Sequence, residues 1–172
     1  IRLQELWDTV DYFVLSEATI SHSGKPKELH FDNNKERFEK YMSKIRHIIV
    51  DDIPETQDSW VRERFQRKAL ERGLTDMQPE DIIIVSDMDE IPRAEAVELV
   101  KSDENDYERY IFTIPMLQYK INYMKYHDIS KQPNIMVVRG RAFTNPQQER
   151  EYSWPWVPKP ADLVFIDHAG WH

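Results

Sequence analysis

The chain of 172 residues has no cysteine, which excludes a disulfide framework and any thiolate-ligated metal. No run approaches the roughly 18 consecutive apolar residues of a membrane-spanning helix. No Asn-x-Ser/Thr acceptor occurs either, which weighs lightly against a glycosylated secretory product. Clustered Lys and Arg are also missing: the net charge is −8 and the pI about 5.3. That argues against nucleic acid or an anionic membrane as the main partner, because neutralising phosphates needs a basic patch. Internal repeats and low-complexity tracts are absent. So is a signal peptide, but the chain opens at Ile1 inside a helical pattern with Leu3, Leu6, Trp7 and Val10 on one face. It therefore reads as a fragment, in which missing targeting segments prove nothing. What is present is ordinary for a folded domain: 40% apolar, 31% charged and 12% aromatic residues. The length suits one domain, residues 1–172, with a real core.

Strand and helix patterns alternate. "DYFVLSEA" (11–18), "RHIIVDDIP" (46–54) and "DIIIVSD" (81–87) read as buried strands. Between them, "NNKERFEKYMSKI" (33–45) places Phe38, Tyr41, Met42 and Ile45 on one helical side after an Asn cap. "DSWVRERFQRKALERGL" (58–74) is the strongest helix, with Asp58 as cap, Val61, Phe65 and Ala69 as a stripe and Gly73 as its end. A polar loop covers 19–31, and another helix is expected over 93–101. Further strands are expected at 109–117, 134–143 and 161–168. The β-α-β-α-β order implies an α/β domain with a mostly parallel sheet and helices on both faces. The second half reads as added antiparallel strands and a binding loop, since "SWPWVPKP" (153–160) cannot be a regular element.

The strands of the first half end in acids: Glu17, then Asp51 and Asp52, then Asp87, Asp89 and Glu90 in "IIIVSDMDEIP". Ligands of open α/β sheets bind outside the carboxyl ends of strands. Acids crowded there repel one another unless something positive lies between them. A solvated acidic turn, or a cap for a helix entered at Pro92, is the plain alternative. Hard cations take oxygen ligands and a ribose diol takes carboxylate hydrogen bonds, so an acidic rim suits a metal- and nucleotide-binding cleft. Arg62 and Gln66 fall on one helix face beside Arg67, though taken alone a surface ion-pair ladder of Arg62, Glu63 and Arg67 is the plainer account.

These segments resemble a known family. "VDYFVLSEA", "SGKPKELHF", "NKERFEKY", "IIVDDIP", "RERFQRKALERGL", "DIIIVSDMDEIP" and the closing "HAGWH" stand in the order seen in glycosyltransferase family 17. The family includes enzymes that add the bisecting GlcNAc to N-glycans, with bacterial and viral relatives. The resemblance implies a GT-A-like, Rossmann-type fold, of which the first strand and the C-terminal end would lie outside this chain. It implies a metal-dependent inverting transfer from UDP-GlcNAc to a sugar hydroxyl of a glycan acceptor. Catalytic residues would then be Asp87, Asp89 and Glu90. Mn²⁺ or Mg²⁺ would sit on Asp87, Asp89 and His172. Lys25, Lys27 and Arg67 would face the diphosphate and Glu17 and Asp52 the uridine, with Arg62 and Gln66 also lining the donor site. Glu90, Asp128, Glu149 and Asp167 stay open as the base. Tyr119, Asn122, Tyr123, Tyr126, Trp154 and Trp156 would hold the acceptor, because rings stack on sugar C–H faces. A bacterial or viral relative would be cytoplasmic, an animal one anchored in the Golgi. Two other readings are a non-catalytic carbohydrate- or nucleotide-binding domain and, less well matched, a HAD-type phosphohydrolase. The latter places its Asp-x-Asp near the start of the domain, followed by a Gly-Thr-type turn.

Overall fold

A computed structural model describes residues 1–115, 135–154 and 157–171. Tyr119, Asn122, Tyr123, Tyr126, Asp128, Trp156 and His172 lie outside the described residues. The chain forms two compact units, Val10–Asp76 and Ile1–Thr9 with Met77–His172.

In the unit Val10–Asp76, β1 (Phe13–Ala18) and β2 (Ile45–Val50) pair in parallel, from Phe13 opposite Ile45 to Ala18 opposite Val50. Helix α2 (Ser59–Lys68) follows and tightens into a 3-10 turn at Ala69–Gly73. Asp58 caps it by accepting from the Trp60 N–H at 2.8 Å. Ala18, Val50 and Ala69 bury completely or nearly so, with Ile48, Ile53 and Phe65 packed around them. The expected α-helix over 33–45 is instead a 3-10 segment, Asp32–Lys44, kinked at Asn34. No side chain within the segment caps it. Its first N–H groups go to Glu17, whose carboxylate accepts from Phe31 at 2.9 Å and Asp32 at 3.2 Å.

In the other unit, α1 (Arg2–Glu5) is a single turn, shorter than the pattern over 1–10 suggests, and Leu6 behind it is buried. Strands β3 (Ile82–Val85), β5 (Arg109–Phe112), β6 (Ile135–Arg139) and β7 (Leu163–Ile166) make one sheet in the order β3-β6-β5-β7. Only β5 and β7 run parallel; β6 is antiparallel to both neighbours. A short pair, β4 (Ile91–Pro92) and β8 (Gly170–Trp171), lies apart from that sheet. Helices α3 (Ala94–Lys101) and α4 (Pro146–Tyr152) complete the unit, α4 packing on β6 and β3. The core joins Val85, Ile111 and Met136 to Ile83, Phe143, Tyr152 and Leu163.

The α/β class holds, but the mostly parallel central sheet needs correcting. Among the described residues β3 is the end strand of a mixed sheet and pairs with β6, not with β1 or β2. Apolar runs report burial and carry no information on strand direction. The late strands expected as additions supply the sheet's centre: every residue of β5 and β6 is buried, whereas β3 is buried only at Val85.

Candidate active site

The stretch "SDMDEIP" leaves β3 as a tight, closed turn. The Glu90 N–H donates to the Asp87 carbonyl at 3.2 Å, and the Asp87 N–H donates back to Glu90 Oε2 at 2.8 Å. This reciprocal closure forces Glu90 inward, to 2% exposure, and throws Met88 out to 73%. Asp89 is exposed beside it and Asp87 is half-buried.

Two arginines supply the positive charge that the acids require. Arg150, itself 4% exposed, projects from α4. Its Nη1 meets Glu90 Oε2 at 2.7 Å, while Nη2 meets Glu90 Oε1 at 2.7 Å and Asp87 Oδ2 at 2.9 Å. The helix that carries it starts cleanly, with Asn145 accepting from the Gln148 N–H at 2.9 Å and Pro146 in its first turn. Burial pushes the Arg150 pKa down, but Glu90 and Asp87 outweigh it and hold it above the ordinary value. Arg2 donates to the carbonyls of Asp87 at 2.9 Å and Glu90 at 3.1 Å. Burial lowers its pKa despite Glu90, Asp87 and Asp89 nearby, yet a guanidinium stays charged at any physiological pH.

The exit of the turn is held by the far end of the chain. Ile91 pairs with Trp171 and Pro92 with Gly170, and Arg93 lies 5.1 Å from the Trp171 ring centroid. Gly170 is required here, because a β-carbon would come within 2.4 Å of the Ile91 carbonyl oxygen. "HAGW" is thus laid directly against "DEIP"; His172 follows outside the described residues.

The remaining expected site residues divide sharply. Glu149 is fully buried, accepting from Arg109 Nε at 3.1 Å and from the Thr144 hydroxyl at 2.9 Å, so it has no path to an acceptor hydroxyl in this conformation. Asp167 accepts from the Thr113 hydroxyl at 2.9 Å. Trp154, half-buried, follows α4, and its carbonyl accepts from Lys159. The others belong to the unit Val10–Asp76. There Arg62 is 7% exposed and staples a loop, donating to the His22 carbonyl at 2.7 and 3.0 Å and to that of Thr56. Lys25 is exposed and Lys27 half-buried on that loop, which turns at Gly24 with φ +81°. Gln66 donates to the Ser16 carbonyl at 3.3 Å and Arg67 pairs with Glu63 at 2.9 Å. Asp52 pairs with Arg72, and Glu17 anchors the 3-10 segment.

Arg2 and Arg150 are what sequence reasoning missed. The available signal was indirect: an acid cluster at a strand end demands a cation, and "NPQQER" is a well-capped helix carrying one. The chemistry offered to a ligand is a rigid turn displaying hard carboxylate oxygens from Asp87 and Asp89. No group of three metal-ligating side chains occurs among the described residues. The pair still fits Mg²⁺ or Mn²⁺, because Mg²⁺ commonly takes one or two carboxylates and completes its shell with water and substrate phosphate.

The chain belongs to glycosyltransferase family 17, whose family model matches residues 1–172. It is similar to the beta-1,4-mannosyl-glycoprotein 4-beta-N-acetylglucosaminyltransferase of Homo sapiens, at 30% identity over 120 residues, 65% of this chain and 22% of that protein. The Rattus norvegicus protein of the same description is 30% identical and that of Mus musculus 29%, over the same shares. The match thus spans 22% of the length of these curated relatives. No solved structure matches the chain significantly. Among the described residues no helix is long and apolar enough to cross a membrane.

Proposed function

We propose that this chain belongs to an enzyme that moves N-acetylglucosamine from UDP-GlcNAc to a glycan hydroxyl with inversion. The bond from the anomeric carbon to the diphosphate breaks, and its electron pair leaves with UDP. The acceptor oxygen bonds the anomeric carbon from the opposite side and gives its proton to a carboxylate base. The observation that carries the reading is the acidic turn after β3, braced from behind by Arg150 and Arg2. Donor and acceptor rest on family membership and on the printed activity of the relatives. A Mg²⁺ or Mn²⁺ held by Asp87 and Asp89 would neutralise charge on the leaving diphosphate. Arg150 keeps the Asp87 carboxylate in place before substrate arrives, and Arg2 holds the backbone of the turn that carries Asp89, so little reorganisation of the turn accompanies the reaction.

The full-length protein mixed with UDP-GlcNAc, Mn²⁺ and a mannose-containing N-glycan should release UDP and yield a product one N-acetylhexosamine heavier. Asp89→Ala should cut that rate by roughly 100-fold, the scale of losing one electrostatic contact to developing charge. Because Asp89 is exposed, the thermal midpoint of the metal-free variant should match wild type. Transfer from a different nucleotide sugar would change the donor and keep the class. Binding of UDP-GlcNAc with no turnover on any acceptor would leave a binding domain instead.

A further inference from the structure

The geometry points to Arg150 as a positioning residue that sorts the three acids of the turn, taking Glu90 out of the chemistry and presenting Asp87 and Asp89 to a divalent cation. This rests on the reading of the turn as a cation-assisted site. Glu90 gives both carboxylate oxygens to Arg150 at 2.7 Å, and one of them also to the Asp87 N–H at 2.8 Å. At 2% exposure it has no face left for an acceptor hydroxyl. Asp87 gives Oδ2 to the same guanidinium at 2.9 Å, which fixes its rotamer. The planar fork of an arginine suits this three-point hold, and a lysine, with one nitrogen, cannot reproduce it. Arg2 holds the backbone carbonyls of the same turn, so side chains and main chain are fixed separately.

Two opposed expectations make the idea testable. On charge alone, removing Arg150 takes a cation away from the site and should tighten Mn²⁺ binding. On positioning, it should weaken Mn²⁺ binding, as loss of a residue that orients a ligand typically does by about 10–100-fold. The probe is Mn²⁺ alone, titrated against thermal stability and the electron paramagnetic resonance signal of unbound Mn²⁺, in full-length wild type, Arg150→Lys, Arg150→Gln and Glu90→Gln. We expect the half-saturating Mn²⁺ concentration to rise by about 10-fold or more in both Arg150 variants. Glu90→Gln should raise it too, with kcat largely recovered at saturating Mn²⁺. Tighter or unchanged Mn²⁺ binding in the Arg150 variants overturns the proposal. So does a Glu90→Gln enzyme that binds Mn²⁺ normally and has lost kcat, since Glu90 would then be the base. Should Arg150→Gln not fold, Arg150→Lys and Glu90→Gln decide alone. A wild type that binds no Mn²⁺ overturns this inference together with the metal reading. A wild type that binds Mn²⁺ and shows the expected shifts, but transfers no sugar, overturns only the proposed reaction.

Discussion

After β2 the acids Asp51 and Asp52 stand in solvent, and Asp52 meets Arg72 at 2.7 Å with both side chains about half exposed. After β3 the acids Asp87 and Glu90 close on Arg150, whose side chain is 5% exposed, while Asp89 is exposed beside them. In sequence the two ends look alike: an apolar run, then acids, then Ile-Pro. The difference lies in what arrives from elsewhere in the chain. At β2 the partner is a nearby surface arginine. At β3 it is a buried arginine more than sixty positions from Asp87 in sequence, supplied by α4. A half-exposed pair keeps water close to both partners and dissolves as easily as it forms. A buried clamp must be fully satisfied to exist, and once formed it fixes side-chain directions before any ligand binds.

The largest expected effect breaks the clamp. Arg150→Ala takes both Glu90 carboxylate oxygens off their guanidinium and leaves Arg2, which holds only the backbone carbonyl, as the nearby cation; breaking such a buried pair costs about 3–5 kcal/mol. Urea unfolding of the metal-free protein measures it directly. Reversing the loss with Glu90→Gln in the same chain would show that the penalty belongs to the stranded charge and not to lost packing. A loss below about 1 kcal/mol would place this ion pair in the same class as surface pairs and end the contrast with β2.

A middle case lies at the end of β1. Glu17 is 7% exposed and accepts the N–H groups of Phe31 and Asp32, with His47 Nε2 at 3.3 Å. Burial raises its pKa, but those two N–H donors, with Lys27 and His47, outweigh it and leave the carboxyl below its ordinary 4.5. A lowered folded value stabilises the protein above the ordinary value, and that stability is lost as pH falls through the folded value. Glu17→Gln should therefore cost about 2 kcal/mol at neutral pH, the scale of hydrogen bonds to a charged acceptor. The difference from wild type should close as pH drops below 4.5. A gap that stays constant down to pH 3 would mean that shape, not charge, holds the 3-10 segment.

How far the sequence could be read follows the same division. β1, β2 and α3 emerged near their true bounds and α2 started where the Asp58 cap put it, because apolar period and caps are local signals; α2 gave way to a 3-10 turn at Ala69, ahead of the Gly73 expected as its end. Strand direction and order did not, since β3 chooses β6 through contacts between residues over fifty positions apart. The turn at Asp87–Glu90 was legible as a cluster of acids. Its division into an anchor and displayed ligands was not, because that depends on Arg150 and Arg2, which no local pattern ties to it. Arg62 shows the same limit: helical spacing set it on one face with Gln66 as a candidate for the donor site, and only packing shows that its guanidinium holds the His22 carbonyl. Arg62 shares a helix face with its neighbours as expected, but a side chain's role is set by what the fold brings to it.

The smallest expected effect is at Asp52, and it sharpens the contrast most. Arg72 reaches it with both terminal nitrogens, at 2.7 and 3.0 Å. The hydrogen bond from Arg72 holds the Asp52 carboxyl below the usual range against the opposing effect of burial. Geometry this good is what a strong pair would show, yet exposure leaves water to replace every bond lost. In 0.15 M salt the field of such a pair is screened within about 8 Å. Arg72 also lies 5.9 Å from the Phe65 ring centroid, so Arg72→Ala alone would mix lost packing with lost charge. A double-mutant cycle with Asp52→Ala removes that ambiguity. We expect no coupling resolvable from the error of urea midpoints. A coupling as large as that between Arg150 and Glu90 would erase the difference between the two strand ends. If instead Asp52→Ala leaves stability untouched and raises the KM for UDP-GlcNAc, the exposed acid serves the donor, and its weak pairing is what leaves it available to do so.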